Sequence, residues 1–408
     1  MDSEKITVPG AAMTLVTSSG ILNHVIIIPL LLRTAGRDAW VSVLLAGVVQ
    51  VAVWVPLLAF IMRRSRQLHL GDWLRQRAGT FASRVITGLA AFYFFTLCWL
   101  TLRDVTGWTK VSYLPGTPKI VITFAFALVI TAMAGAGLRS IVIANGILLP
   151  IVITLGLFVM SANMPHKDYN LMFPLLEDGY GPMIRGMAYA GIGLSEISWF
   201  LFLQHRLRSQ VRTLPLLVVG VLLIHLTLGP LLGAIAIFGP EESARMRFPS
   251  YEQWRLVTFG HFFEHVDFLS IYQWLCGAFI RISMGVHIAL DILGLTGRKR
   301  MAAALTTGVA LFVSALYPVS DTAFDAILMN VFVPGGLVFI ASLCLLLFVL
   351  AATSAIPYPY PRCRKRTRPG CAGCSTTATT SYSVGWVRRS ASWTGCSCIA
   401  TACPIPPG

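Results

Sequence analysis

Long apolar runs alternate with short polar and basic stretches along most of this chain. A helix that crosses a bilayer needs about 20 mostly apolar residues. Ten segments answer to that pattern: Ala11–Leu32, Ala39–Ile61, Val85–Leu102, Lys119–Gly137, Ile141–Ala162, Met183–Leu203, Leu214–Phe238, Val266–Leu290, Ala304–Val319 and Ile327–Ala352. The ninth is the shortest and is rich in Thr and Ala. Hydrocarbon offers the backbone no hydrogen-bond partners, so each run is expected to be helical. The first has no basic leader and no small-residue cleavage site, which reads as a retained span rather than a signal peptide.

Composition narrows the class. Of 408 residues, 56% are hydrophobic and only 12% are charged, against roughly 25% charged in soluble domains. That excludes a water-soluble globular domain, a secreted disulfide scaffold, a coiled coil and a disordered chain. The net charge of +15 does not point to nucleic acid, because the basic residues sit in short runs between apolar segments, as in membrane proteins. The expected class is an all-α polytopic membrane protein whose surroundings are the lipid bilayer.

Loop charge gives the orientation. With the N-terminus cytoplasmic, the inner loops hold Arg63, Arg64, Arg66, Arg75, Arg77, Arg84, Arg139, Arg206, Arg208, Arg212, Arg298, Lys299 and Arg300. The other face has fewer bases (Arg33, Arg37, Arg103, Lys110 and Lys167 among them), several beside acids. Both termini are therefore expected on the cytoplasmic side. Two loops stand out by length, Met62–Arg84 after the second span and Gly239–His265 after the seventh. They fall at equivalent places in two halves of five spans, about 11–162 and 183–352, and on opposite faces. An odd repeat unit reverses topology, so the pattern fits an inverted five-plus-five repeat; two unrelated loops would look the same.

The composition breaks after the tenth span. From residue 354 the chain is basic and rich in Cys, Pro, Ser and Thr, and after Ala352 it has no acidic residue. Such a segment supports no packed core and reads as disordered or as a non-native reading frame. Cys371 and Cys374 form a C-x-x-C there, without the second pair or the His that a zinc site requires.

Chemistry-bearing residues inside the spans are few. Thr17, Ser18, Ser19 and Gly20 lie seven to ten residues into the first span, and Gly191, Gly193, Ser195 and Glu196 lie at a matching depth in the sixth. Weak helix formers in the same register of both halves suit two readings. They mark broken helices whose freed backbone groups bind a solute, or close helix packing by small residues. Glu196 is the sharpest single position, since a carboxylate at depth is costly unless paired, protonated or hydrated. Proton exchange, contact with a ligand ammonium, and a pair with Arg281 of the eighth span all remain open. His24, His225 and His287 also lie in spans, and the run Phe92–Phe95 faces either lipid or core. No zinc-spaced His pair, phosphate loop or nucleophile elbow occurs in the spans, so no catalytic residue, metal or cofactor is expected.

The pattern resembles the B subunit of the GerA-type spore germinant receptors, the GerAB/ArcD/ProY transporter family within the amino acid–polyamine–organocation superfamily. The likeness runs from about Thr7 to Thr353. It rests on the Arg-Asp-Ala-Trp-Val-Ser opening of the second span within Arg37–Gly47, on Leu102–Asp104, and on Leu171–Pro174 with Leu175–Gly181. Gly193 with Glu196, and Phe279–Ser283, add to it. The tail from Pro357 departs from the family's short basic ending. The resemblance implies a LeuT-like fold of ten helices. It also implies a pocket between spans one, three, six and eight for a small germinant, typically an amino acid. Ser18, Ser19, Gly20, Gly191, Gly193, Ser195 and Glu196 would then be substrate-binding, with Arg281 as buried charge partner. Further implied are a larger A-type membrane subunit, a C-type lipoprotein, and residence in the cell membrane or inner spore membrane. Three functions compete: a germinant sensor, a proton-coupled amino acid transporter, and a purely structural subunit. A single deep carboxylate, Glu196, favours sensing over transport.

Overall fold

A computed structural model describes residues 5–258 and 266–353. The C-terminal stretch with Cys371 and Cys374 lies outside the described residues, as does Glu264 of the second long loop. Among the described residues the regular structure is helical, apart from an isolated parallel bridge between Ile6 and Leu207.

Among the described residues, nine continuous runs are long and apolar enough to cross a membrane. The first, Val8–Arg64, has 57 residues and would reach about 85 Å as a straight helix, nearly three times the hydrocarbon thickness. It is not straight. Gly36 adopts φ 51° and ψ −125°, beyond the reach of ordinary L-residues, and a 3-10 turn follows at Gly36–Asp38. Hydrogen bonds show the reversal. Asn23 reaches the Gly193 carbonyl, Ser42 reaches that of Met183, and Gln50 returns to that of Leu194. The run is thus a hairpin of two spans, 8–35 and 39–64, and the crossings among the described residues number ten.

The other spans are Leu70–Ser112, Lys119–Ala136, Leu138–Ala162, Tyr180–Arg206, Thr213–Phe238, Leu269–Ile292, Gly297–Leu316 and Asp321–Ala352. Span 3 is longer than its apolar core because the amphipathic arm before it continues into it through an elbow at Gly79 (φ 84°, ψ 172°). The matching arm of the second half forms two short helices, Pro240–Arg245 and Pro249–Arg255. Both long loops thus carry helical arms at equivalent places.

Spans differ in depth of burial. In span 8, 83% of the most apolar window is buried, and in span 6, 78%, against 17% in span 5. Spans 6 and 8 are therefore interior helices, and span 5 shows much of its surface to lipid. Phe92, Leu128, Ile147, Val218 and Leu345 are exposed on the outside of the bundle, as the hydrocarbon requires. The run Phe92–Phe95 divides between the two settings. Phe92 points out, while Tyr93 stacks on Phe339 and Phe94 packs edge-on against Trp199 and Phe202.

Segments singled out in the sequence also meet on one face. Arg37 pairs with Glu177 at 2.5 Å, and the Asp38 carboxylate accepts the Leu176 N–H at 3.0 Å. The start of span 2 thereby holds the loop that leads into span 6.

Candidate functional site

Span 6 is an α-helix from Tyr180 to Ser195, then tightens to a 3-10 turn at Glu196–Ser198. Glu196 sits at that change of winding, fully buried. Its carboxylate meets the Arg281 guanidinium through two parallel bonds, Nη1 to Oε2 at 2.9 Å and Nη2 to Oε1 at 2.5 Å. Such a fork is the strong form of an Arg–carboxylate pair. Arg281 Nη1 also donates to the Ser18 carbonyl at 2.9 Å, and Nε donates to Thr101 Oγ1 at 3.2 Å. The guanidinium carbon lies 5.5 Å from the Trp199 ring centroid. One side chain of span 8 thus binds spans 1, 3 and 6 together. Desolvating two charges is offset only where such extra bonds complete the geometry.

One helical turn away, Asn23 performs a second linkage. Its Nδ2 donates to the Ser19 carbonyl (3.0 Å) and the Gly193 carbonyl (3.1 Å), and its Oδ1 accepts from Thr227 Oγ1 (3.0 Å). Spans 1, 6 and 7 meet there. This close approach explains Gly193, because a Cβ at that position would lie 2.3 Å from Asn23 Oδ1 and 2.8 Å from Ile27 Cδ1.

Unwound backbone at Ser18–Gly20 and Gly191–Gly193, one of the two readings of the sequence, is not what the structure holds. Both stretches are wound as α-helix. The departures come just beyond, as a π segment at Leu22–Ile26 and the 3-10 turn at Glu196–Ser198. Small residues serve packing here, and the change of winding falls where polar side chains take over backbone partners. The sequence-singled residues separate accordingly. Glu196, Arg281 and the Ser18 carbonyl converge, and Ser19 and Gly193 converge on Asn23. The Ser195 hydroxyl turns back to the Ile192 carbonyl. Gly191 faces Leu337 of span 10. Gly20 lines a cavity of about 1200 Å³ between spans 1, 5, 7 and 8. Among the described residues, the buried hydroxyls of Ser18, Ser19 and Ser283 have no hydrogen-bond partner.

Glu196 is not the only buried carboxylate. Asp38, Asp104 and Asp291 are also buried, near span ends. Asp291 closes the end of span 8, where Arg206 bonds it, His205 Nε2 lies at 2.8 Å and Arg300 Nη1 at 3.5 Å. His69 Nε2 is 3.0 Å from the Asp291 carbonyl oxygen, and its ring lies edge-on to His205. Ligand atoms of His69, His205 and Asp291 lie within 4.8 Å of one another, a spacing that suits a metal ion. Two guanidiniums on the same carboxylate oppose a dication, so the trio fits an ion-pair lock between the first arm and spans 6, 8 and 9. On the opposite arm, burial raises the Tyr251 phenol above its ordinary range, helped by its bond to Asp267. Sequence reasoning passed over Asn23 and Asp291. A polar Asn in mid-span signals the first, but nothing local marks the second.

The family described as spore germination protein matches residues 11–321. The chain is 39% identical over 341 residues to spore germination protein XB of Bacillus anthracis, covering 83% of this chain and 96% of that protein. It is 22% identical to spore germination protein A2 of Bacillus subtilis (strain 168), covering 77% and 85% respectively. Among solved structures it is similar to a Na+-coupled sialic acid symporter in a substrate-bound, outward-open state. The TM-score there is 0.55 at 12% identity, over 86% of this chain and 80% of that one, and this likeness concerns the fold alone. The helical architecture, the paired arms and the matched residues agree: this chain belongs to the spore germination protein family and has a LeuT-like, five-plus-five transporter fold.

Proposed function

We propose that the protein is the membrane subunit of a spore germinant receptor, one that binds a small germinant, an amino acid or a similar compound, and triggers germination. The observation that carries this reading is the forked pair of Glu196 and Arg281 where spans 1, 3, 6 and 8 meet. A zwitterionic amino acid presents the same two charges. Its carboxylate replaces Glu196 on the Arg281 guanidinium, and its ammonium takes the freed Glu196 carboxylate and the Ser18 carbonyl. Exchange of an internal pair for a ligand pair loosens spans 6 and 8 from each other, which is a signal without transport. In this reading the subunit works with a larger A-type membrane subunit and a C-type lipoprotein in the inner spore membrane.

The test uses the purified chain in vesicles with L-alanine, propionate and ethylamine as probes. Hydrogen bonds to charged groups are worth about 1.5–3 kcal/mol, so losing either charge of the probe should weaken binding by roughly 10- to 100-fold. Equal binding of the three probes, or none with germination still lost on gene deletion, would sink the charge-exchange reading. The symporter-like fold also supports a second reading, a proton-coupled transporter. Uptake of labelled amino acid into vesicles under a pH gradient would favour it.

The orientation proposed places both termini in the cytoplasm. Arg75 on the first arm and Arg245 on the second are both well exposed. Arg75→Cys and Arg245→Cys are expected to react with an impermeant thiol reagent from opposite sides of the membrane. Labelling of both from one side would overturn the topology.

A further inference from the structure

The cavity of about 1200 Å³ beside span 1 has no part in the ion pair. It is larger than the roughly 300–1,000 Å³ pockets that enclose drug-sized ligands. Its walls come from spans 1, 5, 7 and 8, and it extends from Arg63 and Arg212 on one face of the membrane to Lys167 on the other. Met13, Ile153, Leu157, Val218 and Leu222 line it and are each about half exposed. These residues lie within the apolar spans, at least five residues from a span end, so the open side faces acyl chains rather than water. The floor is bare at Gly20 and Gly229, where an added Cβ would meet nothing within 4 Å.

Polar groups along the cavity are largely engaged already. A His24 ring nitrogen lies 3.2 Å from the Leu226 carbonyl oxygen, Gln253 donates to the Pro230 carbonyl, and Gln273 donates to that of Val152. A free amino acid would have to leave its charges against apolar walls, which is costly. Cationic charge is paired at one end, whereas at the other, among the described residues, Lys167 stands alone with its ammonium on the Met160 carbonyl. Arg63 donates to Thr213 Oγ1 at 3.1 Å, and Arg212 beside it is exposed. The combination is apolar along its length, open to lipid, and most strongly basic at the membrane face of Arg63 and Arg212. We infer that this groove holds an acyl chain of an anionic glycerophospholipid whose phosphate is met by Arg63 and Arg212. A lipid seated there packs directly on Thr17 and Gly20, one turn or less from the Ser18 carbonyl that Arg281 holds. Lipid occupancy therefore sets the position of span 1 against spans 5 and 7.

The experiment reconstitutes the full chain in phosphatidylcholine vesicles with a trace of photoactivatable phosphatidylglycerol, or of photoactivatable phosphatidylcholine in a parallel arm. Cross-linked peptides are then mapped. Labelling should concentrate in residues 149–160 and 214–230, well above lipid-facing positions elsewhere such as Leu128 and Leu345, and phosphatidylglycerol should be preferred. A basic residue near the bilayer surface is worth about 1 kcal/mol toward anionic lipid, so Arg63→Gln and Arg212→Gln should each lower that preference about fivefold. Gly229→Phe and Leu222→Trp, which fill the groove from its floor and its rim, should remove the concentration of label. Labelling no stronger in the groove than at Leu128 and Leu345 would overturn the inference. So would a headgroup preference untouched by both Arg substitutions, or displacement of the lipid label by free amino acid.

Discussion

Glu196→Gln is expected to cost roughly 3–5 kcal/mol of stability, the usual penalty for stranding one member of a buried ion pair. Arg281 would keep its bonds to the Ser18 carbonyl and to Thr101 Oγ1, but both partners are neutral and cannot balance the guanidinium. The double change Glu196→Gln with Arg281→Gln removes the uncompensated charge, so a substantial part of the loss should return. Thermal unfolding of the purified chain in detergent, together with its level in the membrane, gives the two limbs of the cycle. The germinant response should be absent from both variants, since a zwitterion needs both charges. A double variant no more stable than the single would reject the pair as a structural element and leave Glu196 acting alone on ligand or proton. A double variant that still responds would reject the exchange of charges.

The second large effect is expected at Gly193. Even Gly193→Ala places a methyl group against Asn23 Oδ1 and Ile27 Cδ1. Asn23 cannot yield freely, because its amide serves the Ser19 and Gly193 carbonyls and its oxygen serves Thr227. Overpacking costs about 1–3 kcal/mol, and each buried polar group left unpaired adds to it, so a loss of about 2–4 kcal/mol is expected. Gly193→Leu should abolish the response altogether. A companion variant separates packing from backbone freedom: Gly193→Ala combined with Asn23→Ala relieves the clash and should recover part of the stability. An unchanged unfolding temperature in Gly193→Ala would show that spans 1 and 6 are not held at the distance described.

The spans were legible because hydrocarbon imposes a length and a composition on every crossing helix. Lys119–Gly137 and Leu214–Phe238 match the helices Lys119–Ala136 and Thr213–Phe238 within a residue. Span 3 was underestimated, since the arm from Leu70 is amphipathic and its charge hid the continuity through Gly79. Span 9 begins earlier, at Gly297, because Arg298, Lys299 and Arg300 are helical although not apolar. In the site, the depth of Glu196 and Arg281 was readable from their place in apolar runs, but their fork was one of three open roles. What small residues do was not readable. Gly and Ser weaken a helix and also let helices approach, and only the opposing side chain, Asn23 at Gly193, decides between them. Asp291 was passed over because a carboxylate at a span end looks solvated until distant bases, Arg206 and Arg300, are folded against it.

The wide turn at Leu22–Ile26 has a consequence for helical phase. A π segment winds about one more residue into its turn than an α-helix does, so everything beyond it lags by about 100°. Counting apolar positions at a constant 3.6 period through span 1 therefore assigns 27–35 to the wrong azimuth. The stretch behaves as a built-in single-residue insertion, and a chain one residue shorter there would be in ordinary α phase. If the same residues were wound instead as continuous α-helix, the half-helix 8–21 would be turned by about 100° relative to 27–35. The Ser18 carbonyl would swing away from Arg281, and Gly20 would no longer floor the lipid-facing groove. The polar junction and the apolar groove, which share no side chain, are thus both set in phase with the outer half of span 1 by one surplus residue at Leu22–Ile26.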